Sequence, residues 1–344
     1  MKRIIFSTTL ALAATPFAMH GADPLDKGAD SLDNPNRFFF GPRFGMNFKA
    51  DFHNNASYFN AVNPGPAAGG ADHTYNDGYV LVDSSGNAGG LTWNWGYKNA
   101  SQAPPLSVGD TMQFHAIQSS SHSSATDNPQ YGAELIYQRV IGRLPFLSSG
   151  CWGLETGFGF TDLDLRDNRS GTVPVITDTF PLNGVLPPGA GYNGTFSGPG
   201  ALLGDTPTRT TEFAALTSHQ KLSGQMFSIR LGPFAEWNFT PKLSLDASVG
   251  LTLAPTMVDY DFSETGSLAG GGTFEASGHS SKTELLYGPY VSGMLRYDFT
   301  KSWGVYVGAQ FQSLTDSEQS IGTHTARLDL GATVYVTAGA SWRF

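Results

Sequence analysis

Asp51 and His53 stand two residues apart in KADFHN, a spacing that puts a carboxylate and an imidazole on one face of an extended chain. With a hydroxyl they would make the parts of a general-base hydrolase, and serine is abundant. The other candidates, His73, His115, His122, His219, His279 and His324, fall mostly in polar connecting stretches, where a solvated side chain is the ordinary outcome. No GxSxG, HExxH or paired CxxC occurs, and YNDGYVLVDSSGN lacks EF-hand spacing. The single Cys151 excludes an intrachain disulfide and reads as a small packing residue. The sequence therefore offers no catalytic residue, metal site or cofactor site, and the chain reads as a non-enzyme.

Charges that recur with a period of two are more informative. In RFFFGPRFGMNFKADF, Arg43, Lys49 and Asp51 alternate with an apolar series of Phe38, Phe40, Phe44, Met46, Phe48 and Phe52. Glu134 in QYGAELIYQRVIGR and Glu155 in CWGLETGFGFTDLDL repeat the pattern. Arg230 and Glu236 do so in QMFSIRLGPFAEWNF, Asp246 in LSLDASVGLTL, and Arg296 and Asp298 in ELLYGPYVSGMLRYDF. In the last segment Leu328–Phe344 reads as one strand with Arg327 and Asp329 on its polar side. Alternation at this period is a strand signal, and it lasts for the roughly 9–11 residues that a strand needs to cross a bilayer.

The elements that would carry these charges form an antiparallel, up-and-down transmembrane β-barrel. The tight turns TPK (240–242) and TKS (300–302) and the fairly short 143–150 alternate with long stretches near 53–129, 167–220 and 263–282. Short turns on one side and long extracellular loops on the other are the layout of such a barrel. The reading gives about eight strands, or ten if LTWNWGYK and TMQFHA enter the ring instead of forming a cap above it. Lipid would face the apolar series. The lumen would hold Arg43, Lys49, Asp51, Glu155, Arg230, Glu236, Asp246, Arg296, Asp298 and Arg327, paired because an unpaired buried charge is prohibitively costly.

Composition agrees. Of 344 residues 14% are charged and 12% aromatic, with 42 glycines and a mean hydropathy of −0.18. No later stretch approaches the roughly 18 apolar residues of a membrane helix. MKRIIFSTTLALAATPFAMHGADP has the charged start and short apolar core of a secretory signal peptide, placed at 1–21. Residues 22–36 would be a short periplasmic segment and 37–344 the barrel. A net charge of −9, which loses two positive charges with the signal, argues against nucleic acid as a partner. Arg37, Arg143, Lys242, Lys301 and Arg343 gather at the short-turn end; Asp51, Asp162, Asp164, Asp259, Asp261, Asp316 and Glu318 gather at the other, as a solvated rim or a binder of divalent cations.

The C-terminal TAGASWRF resembles the assembly signal of Gram-negative outer-membrane β-barrels, with Thr337, Gly339, Trp342 and Phe344 in its polar, glycine and aromatic places. The resemblance implies residence in the bacterial outer membrane and contact with its lipid. It also implies periplasmic chaperones and the β-barrel assembly machinery as partners in biogenesis. It extends to no subfamily. The expected role is a structural, surface-exposed protein whose loops meet an extracellular ligand that no motif identifies. A small passive channel is the alternative, and a barrel-rim hydrolase using Asp51 and His53 a more distant one.

Overall fold

In hydrocarbon every backbone N–H and C=O must find a partner inside the protein, so a membrane sheet has to close on itself. The computed structural model, which describes residues 34–54, 72–103, 111–117, 120–126, 129–145, 150–267 and 273–344, contains such a ring. Its strands are β1 (Asn36–Met46), β2 (Gln130–Arg143), β3 (Gly150–Pro181), β4 (Thr208–Asn238), β5 (Leu243–Ser267), β6 (Thr273–Asp298), β7 (Trp303–Gln312) and β8 (Thr333–Arg343). Each pairs antiparallel with its neighbours in sequence, and β8 returns to β1 to close eight strands. The expected signal peptide at 1–21, and most of 22–36, lie outside the described residues.

The two tight turns share one construction. In FTPKL, Thr240 Oγ1 accepts hydrogen bonds from the amides of Lys242 (3.2 Å) and Leu243 (3.0 Å). In FTKSW, Thr300 Oγ1 accepts them from Ser302 (3.3 Å) and Trp303 (2.8 Å). A short threonine side chain thus replaces the backbone partners that a reversing chain leaves unmet.

At the other end the strands overrun the bilayer. β3 has 32 residues, a contour of roughly 100 Å at about 3.3 Å per residue, where crossing needs about a third of that. The stretches expected as loops at 167–220 and 263–282 are therefore partly sheet: β3 and β4 pair continuously from Gly150↔Trp237 to Thr179↔Thr208, and β5 and β6 out to Ser267↔Thr273. The other four walls continue upward as Lys49–Asn54, Ser121–Ala125, Ser317–Ile321 and His324–Asp329, hydrogen-bonded into a second sheet.

Between the lower and upper sections the alternation reverses, and it does so in two ways. After β1, Asn47 takes a left-handed backbone (φ 63°); its Nδ2 donates to the Ala332 carbonyl (2.6 Å), where the chain breaks again just above β8. Each break shifts the phase by one residue, which moves every following side chain to the opposite face. Phe40, Phe44 and Met46 face outward, but Phe48 and Phe52 are buried inside; Leu328 and Leu330 are inside, whereas Val334 and Val336 belong to the outer face. The reading of Phe48, Phe52, Leu328 and Leu330 as lipid-facing is thereby corrected. β3 has no break, and the sequence itself changes phase: outward Leu154 and Phe158 give way to Asp162 and Asp164, while inward Glu155 and Thr161 give way to Leu163 and Leu165. The upper section is consequently an apolar-cored sheet structure, with Phe52, Leu165, Leu222, Val258, Tyr260 and Leu328 among its buried residues.

LTWNWGYK and TMQFHA do not enter the ring. Trp95–Tyr97 joins Gly78–Val80 and His73–Tyr75 in a small sheet, and Thr111–Ile117 pairs with the upper end of β3. Trp95, Phe114, Phe180 and Leu203 form the centre of this cap.

Candidate functional site: the charge-paired lumen

β1, β4, β5, β6 and β8 bring a lower cluster together. The guanidinium of Arg37 pairs with Glu236 and lies 4.0 Å from Asp246. Arg296 reaches Glu236 at 3.2 Å, Asp246 at 3.7 Å and Asp298 at 3.3 Å, and Arg343 reaches Asp298 at 3.2 Å. Three arginines thus meet three carboxylates. Above them Arg230 Nε stands 3.1 Å from Glu155 and Nη1 3.6 Å from Glu134, while Nη1 donates to Gln310 Oε1. Gln138 Nε2 (2.9 Å) and Ser248 Oγ (3.1 Å) donate to Glu155, and the Tyr306 hydroxyl donates to Glu134 (3.2 Å). Arg43 lies with its guanidinium 3.3 Å from the centre of the Tyr335 ring and donates to Ser228 Oγ (3.0 Å). Two arginines here face two glutamates, so the described lumen balances in charge at both levels.

Glycines make the space. A Cβ on Gly157 would fall 2.6 Å from Arg230 Nε, and one on Gly159 would fall 2.0 Å from Arg43 Nη1. The alternation Gly-Phe-Gly-Phe at 157–160 therefore pairs aromatic bulk outside with arginine heads inside.

Of the sequence-predicted lumen residues, Arg43, Glu155, Arg230, Glu236, Asp246 and Arg296 lie buried inside, with Asp298 at the lower mouth. Lys49, Asp51 and Arg327 do not join them. They sit above the phase breaks on the outer wall, where Lys49 pairs with Asp51 (2.9 Å) and Arg327 with Asp316. Sequence reasoning left Arg37 and Arg343 out of the lumen set, although both share the odd-numbered phase of Arg43 and Thr337 in their strands. It also missed Tyr290, Tyr306 and Tyr335, since a tyrosine in an alternating strand suits either face.

Among the described residues the histidines are scattered, apart from the pair His53 and His122. His53 faces outward beside His122, and His115 Nδ1 and Asp77 Oδ2 are 2.7 Å apart in the cap. His219 Nδ1 contacts Asn168 Oδ1 (2.8 Å) and His279 Nδ1 contacts Asp261 Oδ1 (2.7 Å) on the outer walls. His73 is buried in the cap, where desolvation pushes its pKa down against the charge of Asp178. Asp178, also buried, is clamped by Nε and Nη2 of Arg209 (2.7 Å each) and by the Tyr75 hydroxyl (2.7 Å). The hydrogen bond to Asp178 raises the Arg209 pKa; burial, then the same carboxylate, raise that of Tyr75. These groups tie the cap to the tip of the β3–β4 hairpin.

The outside of the lower section completes the picture. Leu154, Ile229, Leu231, Leu251 and Val305 stand on it unshielded by protein, Leu251 at 67% exposure, level with the paired charges inside. Trp303, Trp342 and Phe344 stack near the short-turn edge, and Phe44 meets Tyr131 near the upper one. An outward apolar band between aromatic edges, around a polar interior, is the arrangement hydrocarbon demands. The fold is that of an outer-membrane β-barrel.

No protein-family profile matches the chain, and no curated protein sequence does. Among solved structures it is similar to the outer-membrane protease OmpT of Escherichia coli, over 93% of this chain and 99% of that one, at 11% identity and a TM-score of 0.32. It is also similar to the attachment invasion locus protein Ail of Yersinia pestis, over 90% and 99% of the two chains, at 9% identity and a TM-score of 0.24. The toluene transporter TodX of P. putida aligns over 90% of each chain at 9% identity and a TM-score of 0.19. A protease, an attachment protein and a transporter share only the barrel, and likeness at this level says nothing of activity.

Proposed function

We propose that the chain is a sealed anchor that holds a folded extracellular head at the surface of the outer membrane, and that the head makes the contacts with an external partner. The lumen carries this reading. Two charge-balanced layers cross it, from Arg37–Glu236 to Arg43–Tyr335, and an apolar core from Phe52 to Leu328 stands above them. An ion entering would have to displace paired charges and then pass oily side chains, which makes a passive channel the poorer account. The proposal includes no catalysis: Asp51 is held by Lys49 and His53 by His122, on the outside of the sheet.

The same reading takes Thr337, Gly339, Trp342 and Phe344 as the assembly signal read during biogenesis. In support, Phe38 stacks on Phe344 (5.6 Å) and Trp342 (6.4 Å), and a Cβ on Gly339 would meet the Phe40 carbonyl at 2.1 Å. The seam where β8 must find β1 is thus made of the signal's own residues. The deciding experiment is conductance of the refolded protein in planar bilayers. Silence is expected; reproducible single-channel steps would overturn the sealed-anchor reading.

A further inference from the structure

His53 and His122 are directly opposite each other across an antiparallel strand pair, on the outward face of the upper sheet. Opposed residues in such a pair have Cβ atoms about 5 Å apart, close enough for two imidazoles to share one small ligand. Here the rings tilt by 39° with centroids 4.2 Å apart, and the two Nδ1 atoms point at each other across 3.1 Å. Two nitrogens that approach so closely are held either by a single shared proton or by a cation between them. A first-row metal bonds imidazole nitrogen at about 2.0–2.1 Å, so a 3.1 Å separation corresponds to a nitrogen–metal–nitrogen angle of about 100°. That angle lies between the cis angle of a tetragonal site and the tetrahedral angle, the geometries taken by copper(II), nickel(II) and zinc(II) with imidazole.

We infer that His53 and His122 form a two-imidazole site for a divalent first-row transition metal on the outer wall of the head. Both ligands sit on paired strands, so their spacing is set by sheet register and the site is formed before the metal arrives. Among the described residues, the neighbouring charged side chains are engaged away from the rings. Asp51, two residues below on the same face, is engaged by Lys49 (2.9 Å). Arg169 donates to the His122 backbone carbonyl (3.1 Å), not to its ring, and its charge is offset by Asp167 (2.9 Å). Water would fill the remaining coordination positions, as at an open site. Copper(II) should bind most tightly, following the general order of divalent affinities.

The test uses the full-length protein refolded in detergent, with copper(II) alone as the probe. Electron paramagnetic resonance of the wild type at one equivalent should show coupling to two imidazole nitrogens. Titration calorimetry should show one site at least tenfold tighter than in His53→Ala or His122→Ala, with His219→Ala unchanged. Retained gel mobility of the folded form shows that the variants still fold. A wild-type spectrum with one imidazole, or single variants that bind as tightly as wild type, would overturn the assignment. The spectrum needs no variant, so it decides even if a substitution disturbs folding.

Discussion

Replacing Arg230 with methionine is the most searching perturbation of the lumen. The guanidinium stands 3.1 Å from Glu155 and 3.6 Å from Glu134, and its carbon lies 5.4 Å from the centre of the Tyr290 ring. Both glutamates are buried, Glu155 completely. Methionine keeps much of the volume but leaves two carboxylates facing each other without their shared cation. Removing one partner of a buried ion pair costs about 3–5 kcal/mol, because the charge left behind is neither solvated nor compensated. With a urea slope of about 2 kcal/mol per molar, the unfolding midpoint should fall by about 2 M. The assay is urea unfolding in lipid vesicles, followed by tryptophan fluorescence and by gel mobility of the folded form. Adding Glu155→Gln should recover part of the loss, since it removes one of the stranded charges, and the two changes should be clearly non-additive. An Arg230→Met midpoint indistinguishable from wild type would show that the lumen is wet enough to solvate these glutamates. The account of a sealed interior would then be wrong.

Three further outcomes follow from the change of polarity with height. Leu222→Ala, in the buried upper core, should cost about 2–5 kcal/mol, whereas Leu251→Ala on the lipid face should cost about 0.5 kcal/mol; equal losses in vesicle unfolding would contradict the assigned faces. Ile229→Lys places a charge in the outward apolar band and should destabilise by about 2–4 kcal/mol near the bilayer midplane, while Ser223→Lys, six residues up the same strand face, should be near neutral. Glu264 supplies a pH dependence. Burial pushes its pKa up, but His324 (3.4 Å), Asn54 (3.0 Å) and Ser218 (3.2 Å) outweigh that and hold it below the ordinary glutamate range. A folded value below the unfolded one gives stability that is complete above the ordinary glutamate value and is lost as pH falls through it toward the folded value. Unfolding midpoints measured from pH 6 to 3 should therefore fall more steeply for wild type than for Glu264→Gln, and parallel curves would remove this role.

The barrel was legible because lipid imposes a rule at every second residue. Glu155, Arg230, Asp246 and Arg296 could be put inside from parity alone, since their strands cross without a break. Lys49, Asp51 and Arg327 were misplaced because parity was carried across Asn47 and across Gly331–Ala332, where the chain holds one extra residue. Only a left-handed turn or a loop marks such a slip, and asparagine and glycine occur too often to signal it alone. In β3 the signal was present and unread: the apolar series moves from even to odd positions between Phe160 and Leu163. The stretch from Arg166 to Thr179 looked like loop because its alternation is weak; Val173 and Val175 pack inward, while Pro174 and Ile176 are half-buried and Thr172 is exposed. The cap was legible only as amphipathic pieces. Which partner they would choose depends on contacts such as Tyr75–Asp178, about a hundred residues apart, and no local pattern encodes those.

The central claim is that β4 crosses from oil outside and charge inside to water outside and oil inside near Met226. Single nitroxide labels at 221, 223, 225, 227, 229 and 231, in a background with Cys151 replaced, would read this directly by collision with oxygen dissolved in lipid and with a water-soluble nickel complex. The account predicts that the first three labels, on Lys221, Ser223 and Gln225, meet nickel and that the last three, on Phe227, Ile229 and Leu231, meet oxygen. Uniform access to nickel along all six positions would contradict it.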